Sequence, residues 1–391
     1  MTLILKLALR NLLGAGLRTW LNVIVLSFSF VIIIWVQGFY IGMLEQVSDA
    51  TLDAEYGGGQ YWHALYDPYD PLSLQDAHAP VNGSLKKMTD SGKAAPILVV
   101  QGTIYPSGRI MPVLLKGIDS GQTVISLPSH LLDGDFPEIP VLMGTRMAGN
   151  TGFKEGDIVT IQWRDSRGTF DALDGRIVQV IETIVPTIDN GQLWVPLERL
   201  RDMTLLPGEA TLVVIGEDVS TILDEPEWSF KDRDFLLSDI RKIVQIRTIG
   251  SSFIYAFLLL LAMLAIFNTQ VLSIFRRRKE MGTLMALGFT RTQLIKLFTM
   301  EGALHGLLAA LVAAVYGIPI LIQSAKGMGL PSEFSSSTGF AIGSRLFPTY
   351  TAGLIVGTTL VVLMVTTVVS YLPTRRIARL KPTDALRGKV A

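Results

Sequence analysis

Few residues in this chain are spaced to do chemistry on a bound molecule. Cysteine is absent, which removes disulfides, thiolate metal sites, thiol nucleophiles and cysteine lipidation. The four histidines, His63, His78, His130 and His305, are scattered, so no metal centre is expected. Neither H-E-x-x-H nor the phosphate-binding G-x-x-x-x-G-K-[ST] occurs, so these 391 residues hold no nucleotide-hydrolysing loop of their own. Residues 56–74 gather three consecutive glycines, 57–59, with Tyr56, Tyr61, Trp62, Tyr66 and Tyr69. Such a cluster can hold a ligand, but packing within its own domain is the expected use.

The spacing that does point to a task lies in 276–301, RRRKEMGTLMALGFTRTQLIKLFTME. Met281, Leu284, Met285 and Gly288 follow the i, i+3, i+4, i+7 pattern and predict a short helix with one apolar face. Gly288 suits its C-terminal stop. Thr290 and Gln293 form a capping box for a following helix that continues through Leu294 and Leu297. An apolar knob is therefore expected at a membrane surface. Two uses fit it: an interfacial helix held by lipid, with its basic residues on anionic headgroups, or a knob that docks in a groove of a soluble partner.

The elements that must position this segment are long and uncharged. Of the residues 49% are apolar and only 17% charged, with mean hydropathy +0.42, against roughly 25% charged in soluble domains. Intrinsic disorder is excluded. A membrane helix needs about 20 apolar residues. Four uncharged stretches qualify: Thr19 to Leu44, Thr248 to Phe275, Gly302 to Ala325 and Leu346 to Thr374. The first is retained as a span, because its 26 uncharged residues exceed a signal-peptide core and no small-x-small cleavage site follows. Trp20, Tyr350 and Tyr371 mark interfaces.

The net charge of zero hides a segregation. Residues 1–20, 276–300 and 374–391 together hold 15 basic and 2 acidic residues, whereas 45–247 hold 17 basic and 30 acidic. The positive-inside rule puts the three basic pieces, and both termini, in the cytoplasm, and the acidic segment outside. The predicted class is a membrane α-helical protein with four transmembrane helices, one plus three, and a large α+β extracytoplasmic domain inserted between helices 1 and 2.

The predicted division follows. A cytoplasmic amphipathic helix occupies 1–18, with Leu5, Leu9, Leu12 and Leu13 on one face. Spans occupy 19–44, 248–275, 302–325 and 349–373. The extracytoplasmic domain with its stalk helices covers 45–247, the cytoplasmic loop 276–301, a short external loop 326–348 and a basic tail 374–391. Within the outer domain, 97–105, 110–117, 157–163, 176–184 and 211–215 read as strands, while 139–152, 197–203 and a charged 231–247 read as helices.

No span carries an internal Asp, Glu, Lys or Arg, which disfavours an ion-driven carrier. Asn22, Gln37, Asn268, Gln270 and His305 are expected to hydrogen-bond between helices. The pairs Gly38/Gly42, Gly302/Gly306 and Gly353/Gly357 have G-x-x-x-G spacing, which allows close helix packing within one chain or across a dimer.

The loop resembles the signature of the FtsX-like permease family of ABC systems, R-x-x-E-[IM]-G-x-x-x-A-L-G, at Arg277, Glu280, Met281, Gly282, Ala286, Leu287 and Gly288, with Glu301-Gly302 entering the next helix. The tail is similar to the family ending at Pro373, Arg376, Pro382, Ala385, Leu386 and Arg387, with Ile377 where alanine is usual. The segment MGTRMAGNTGFKEGDIVTI resembles the lipoprotein-releasing and macrolide-exporter branches.

That resemblance implies a non-enzymatic permease subunit in a bacterial inner membrane, with its large domain in the periplasm. It implies a cytoplasmic ABC ATPase partner in two copies, which binds ATP and Mg, and a second permease chain, identical or homologous. It also implies contact with membrane lipid and with a lipoprotein or other periplasmic partner; no nucleic acid and no cofactor on this chain are expected. The ATPase-docking residues it implies are Glu280, Met281, Leu284, Leu287 and Gly288, with Arg277 and Arg278 nearby. Lipoprotein release by mechanotransmission is the leading expectation. Export of a macrolide, peptide or similar amphipathic compound comes second, and signalling to a cell-wall hydrolase third.

Overall fold

The computed structural model describes residues 16–219, 222–223, 225–329 and 345–377. The expected amphipathic helix before residue 16, most of the external loop at 326–348, and the tail from 378, with Pro382, Ala385, Leu386 and Arg387, lie outside the described residues. The chain divides into two compact units. One comprises Met1–Met43, Ile243–Met328 and Phe347–Ala391; the other comprises Leu44–Lys242 and Gly329–Leu346.

Helix α1 (Gly16–Thr51) ends in a single π-helical turn, Leu52–Tyr56. Next come β1 (Gly59–His63), β2 (Ala79–Pro80), α2 (Gly83–Asp90), β3 (Ala94–Ile104), β4 (Met111–Ile118) and β5 (Ile139–Gly144). They are followed by α3 (Thr145–Thr151), β6 (Ile158–Arg164), β7 (Phe170–Ile181), α4 (Pro186–Asp189), β8 (Gln192–Pro196) and α5 (Leu197–Thr204). Then come β9 (Glu209–Ala210), β10 (Leu212–Ile215), β11 (Trp228–Lys231) and α6 (Arg233–Leu236). Last are α7 (Ser238–Arg276), α8 (Arg278–Ala286), α9 (Arg291–Ala325) and α10 (Ala352–Ile377).

Two sequence expectations need correction. The helix expected over 139–152 is a strand in its first half, β5, and helical only over Thr145–Thr151. Ile139 to Gly144 is buried throughout, and a short continuous apolar run carries no periodicity to separate a buried strand from a helix. The charged helix expected over 231–247 starts later and in two pieces. Trp228–Lys231 pairs with β1, and Asp232 caps α6 by accepting from the Phe235 amide at 2.8 Å. Leu237 then separates α6 from α7.

The larger unit is built on a sheet ordered β11-β1-β10-β3-β4-β8-β5-β7-β6, in which β6 also pairs with β3. That pairing, Gly102↔Trp163 to Ile104↔Ile161, closes six strands into a barrel. β4–β8 and β5–β7 are parallel and the other main pairings antiparallel. Because successive strand residues point to opposite faces, Leu98 joins a core with Leu115, Val141, Ile161, Ile177 and Leu193 from the other five barrel strands, while its neighbours Ile97 and Val99 join a second core around Trp194 and Leu212. Tyr61 and Trp62 pack in this unit, whereas Tyr69 is largely exposed.

Among the described residues, four helices are long and apolar enough to cross a membrane, Trp20–Tyr56, Ser238–Arg276, Arg291–Ala325 and Ala352–Arg375, of which residues 44–56 and 238–242 belong to the larger unit and the rest to the other. Their common core contains Leu26, Phe30, Ala262, Ile266, Ala309, Ala313 and Val362. Outward residues such as Phe253, Leu264, Val315, Leu360 and Met364 are apolar and exposed, as helices solvated by lipid require.

Candidate functional site

The candidate site is the turn from α7 through α8 into α9. At Arg277 (φ −98°, ψ 17°) the chain leaves α7 and begins α8. The end of α8 is a Schellman motif: the Phe289 amide donates to the Leu284 carbonyl at 3.0 Å and the Gly288 amide to the Met285 carbonyl at 3.1 Å. Gly288 takes φ +96°, which is open to glycine without steric cost. Thr290 and Gln293 then exchange hydrogen bonds as a capping box, Thr290 N to Gln293 Oε1 at 2.8 Å and Gln293 N to Thr290 Oγ1 at 3.3 Å. Two caps back to back fix the bend with only Leu287 to Thr290 between the helices.

The apolar face of α8 does not form one exposed knob. Met281 is 2% exposed and packs with Ile274, Leu294 and Phe298, while Leu284 and Met285 are half-buried on the same cluster. The i, i+3, i+4 face is used to seat α8 on its own neighbours. Leu287, 75% exposed, is the large apolar side chain left outward, flanked by exposed Glu280, Thr283, Ala286 and Gly288. Arg277 turns inward, to Glu280 and Glu301. The Arg278 side chain lies outside the described residues.

Of the six small-spaced glycines, four sit at close contacts within the chain. A Cβ on Gly302 would lie 1.9 Å from Ser370 Oγ, one on Gly306 2.6 Å from Thr366 Oγ1, one on Gly38 2.2 Å from Tyr350 Cε1 and one on Gly42 2.2 Å from the Phe347 carbonyl oxygen. Gly353 and Gly357 meet nothing within 4 Å. Asn22 donates across helices to Thr269 Oγ1 at 2.6 Å, whereas His305 bonds within its own helix, to the Glu301 carbonyl at 2.7 Å. Nothing in this set forms a chain of ionisable groups along the described spans.

A second polar site was not visible in the sequence. Glu55, in the π-helical turn, is buried in the larger unit, where its carboxylate meets Lys116 from β4, Thr187 Oγ1 at 2.6 Å and Gln192 Nε2 at 3.0 Å. Burial alone would raise the pKa of this carboxyl. The Lys116 charge and the three hydrogen bonds more than offset it and hold the group below the usual carboxylate range. The partners are far apart in sequence, and the one available signal was a lysine inside the apolar run of β4. The same unit carries a cleft of about 410 Å³ lined by Gln75, His78, Gln101, Arg164 and Phe170, among others. Among the described residues, no group of His, Asp or Glu could hold a metal ion.

Among the described residues, four helices have the length and apolarity to cross a membrane, and no group of His, Asp or Glu could hold a metal ion. Residues 252–382 match the family model described as FtsX-like permease C-terminal. The chain is also similar to an uncharacterized ABC transporter permease of Methanocaldococcus jannaschii, 29% identical over 186 residues. That match spans 44% of this chain and 44% of the relative, less than half the length of either. Together these two likenesses support the FtsX-like ABC permease family. A solved structure, the extracellular domain of the noncanonic ABC-type transporter YknZ from Gram-positive bacteria, is 14% identical and covers 41% of this chain and 84% of its own. Its TM-score is 0.26, too low to establish a shared fold.

Proposed function

We propose that this chain is the membrane subunit of an ABC system whose ATP is hydrolysed by a separate cytoplasmic ATPase, and that α8 is where the ATPase docks. The observation that carries this reading is Leu287, an exposed leucine held between a Schellman stop and a capping box within the permease-matched residues. A side chain placed so firmly and left outward fits a groove on a partner better than a fluid lipid surface. Glu280, Thr283 and Gly288 would form the rim, and Met281 and Leu284 would hold α8 from behind.

In this reading two such chains, identical or homologous, work with two ATPase copies in a bacterial inner membrane, both termini cytoplasmic and residues 45–247 in the periplasm. ATP-driven movement of α8 would pass along α7 and α1, each an unbroken helix, to the outer domain. The lack of Asp, Glu, Lys and Arg in 19–44, 248–275, 302–325 and 349–373 favours mechanical work over ion coupling. The cargo proposed is a lipoprotein taken from the outer face of the membrane, supported by the sequence likeness of residues 143–161. Depletion of the chain is then expected to leave mature lipoproteins in the inner membrane; normal sorting on depletion would remove this cargo. Docking is tested by a photocrosslinker at Leu287, which is expected to capture a P-loop ATPase in cells. Crosslinks to lipid alone would return α8 to an interfacial role.

A further inference from the structure

We infer that Arg277 is a positioning residue: its pairing with Glu301 sets the angle at which α8, with Leu287 at its end, stands on α9. What that presented surface is for rests on the docking reading above; the positioning does not. Arg277 is the residue at which the backbone changes course between α7 and α8. Its side chain reaches back across the same corner. Nε lies 2.8 Å from the Glu280 carboxylate on α8, and one terminal nitrogen lies 3.2 Å from the Glu301 carboxylate on α9. The guanidinium carbon stands 5.5 Å from the centre of the Phe298 ring, also on α9. One side chain at the hinge thus touches both helices that the hinge joins.

The two carboxylates are not equivalent. Glu280 is largely exposed, and an exposed i, i+3 pair contributes little. Glu301 has a side chain only 5% exposed, so its charge depends on the cations and donors around it. The apolar contacts of Met281 with Ile274, Leu294 and Phe298 keep α8 near α9, but dispersion contacts have no preferred direction. A planar guanidinium between a carboxylate and a ring face does have one. The family resemblance implies Arg277 close to the docking residues; its guanidinium faces Glu280 on one side and the buried Glu301 on the other.

The chain has no cysteine, so spin labels can be introduced at Leu287→Cys and Leu372→Cys, both exposed, in the full-length protein in nanodiscs. The distance distribution between them is expected to be narrow. Arg277→Gln is expected to widen it about twofold, because the buried Glu301 loses a cation that held one geometry. Arg277→Lys, which keeps the charge and loses the fork, is expected to fall between and serves if the glutamine variant does not fold. The exchange Arg277→Glu with Glu301→Arg is expected to restore a narrow distribution. A parent-like width for Arg277→Gln or Arg277→Lys, or an exchange variant as broad as Arg277→Gln, overturns the inference. ATPase capture is a separate readout, taken on unlabelled proteins that keep Leu287. Widening by Arg277→Gln in a chain that captures no ATPase leaves the positioning role standing and removes the docking reading.

Discussion

Lys116 on β4 and Glu55 in the π-helical turn after α1 form an ion pair inside the larger unit, each with a side chain no more than 7% exposed. Gln192 from β8 and Thr187 from α4 complete the carboxylate shell, and the Lys116 ammonium lies 5.1 Å from the centre of the Trp194 ring. The turn that ends the first long helix is thereby fastened to two barrel strands and a short helix through one residue.

Breaking that pair from one side leaves a buried charge uncompensated. Lys116→Met is expected to lower the stability of the larger unit by about 3–5 kcal/mol, read as faster amide exchange in β4 and β8 of the full chain. Glu55→Leu combined with Lys116→Met is expected to cost less than the sum of the single changes. Additive losses would show that the two groups do not depend on each other.

The same pair fixes a pH dependence. The Glu55 carboxyl is held below the usual carboxylate range when folded, so its contribution is present above the unfolded value of roughly 4.3 and is lost as pH falls through the depressed folded value. Exchange protection in β4 is therefore expected to fall on acidification below that range, and the fall is expected to be smaller in Glu55→Gln. Equal pH profiles in the two proteins would contradict the assignment.

The glycines separate into two groups by experiment. Gly302→Ala is expected to destabilise the membrane unit by about 1–3 kcal/mol, since its Cβ would fall 1.9 Å from Ser370 Oγ, with partial recovery on adding Ser370→Gly. Gly353→Ala meets nothing within 4 Å in the chain and is expected to leave monomer stability unchanged in detergent. Thermal unfolding of the purified proteins reads both.

Much of this arrangement was legible in the sequence, for reasons that differ by element. The long apolar helices were visible because lipid forbids charge over about 20 residues, a signal that needs no periodicity. The bend after α8 was visible because Gly288, Thr290 and Gln293 are local cap chemistry. What was hidden is what depends on partners distant in the chain. Met281 looks like an outward apolar residue until Ile274 and Phe298 are beside it. Glu55 and Lys116 are 61 residues apart, and nothing in either neighbourhood names the other. β5 was read as helix because a fully buried strand of the barrel has no polar face to reveal its period.

The most direct measurement is to purify the tagged chain from its native membrane in mild detergent and identify what accompanies it by mass spectrometry, in parallel with Leu287→Asp. Because Leu287 is exposed and outside the apolar cluster of α8, the variant is expected to fold normally. The expected result is a P-loop ATPase with the parent chain and its loss with the variant. An ATPase retained equally by Leu287→Asp, or none captured by the parent even after crosslinking, would contradict α8 as the docking element.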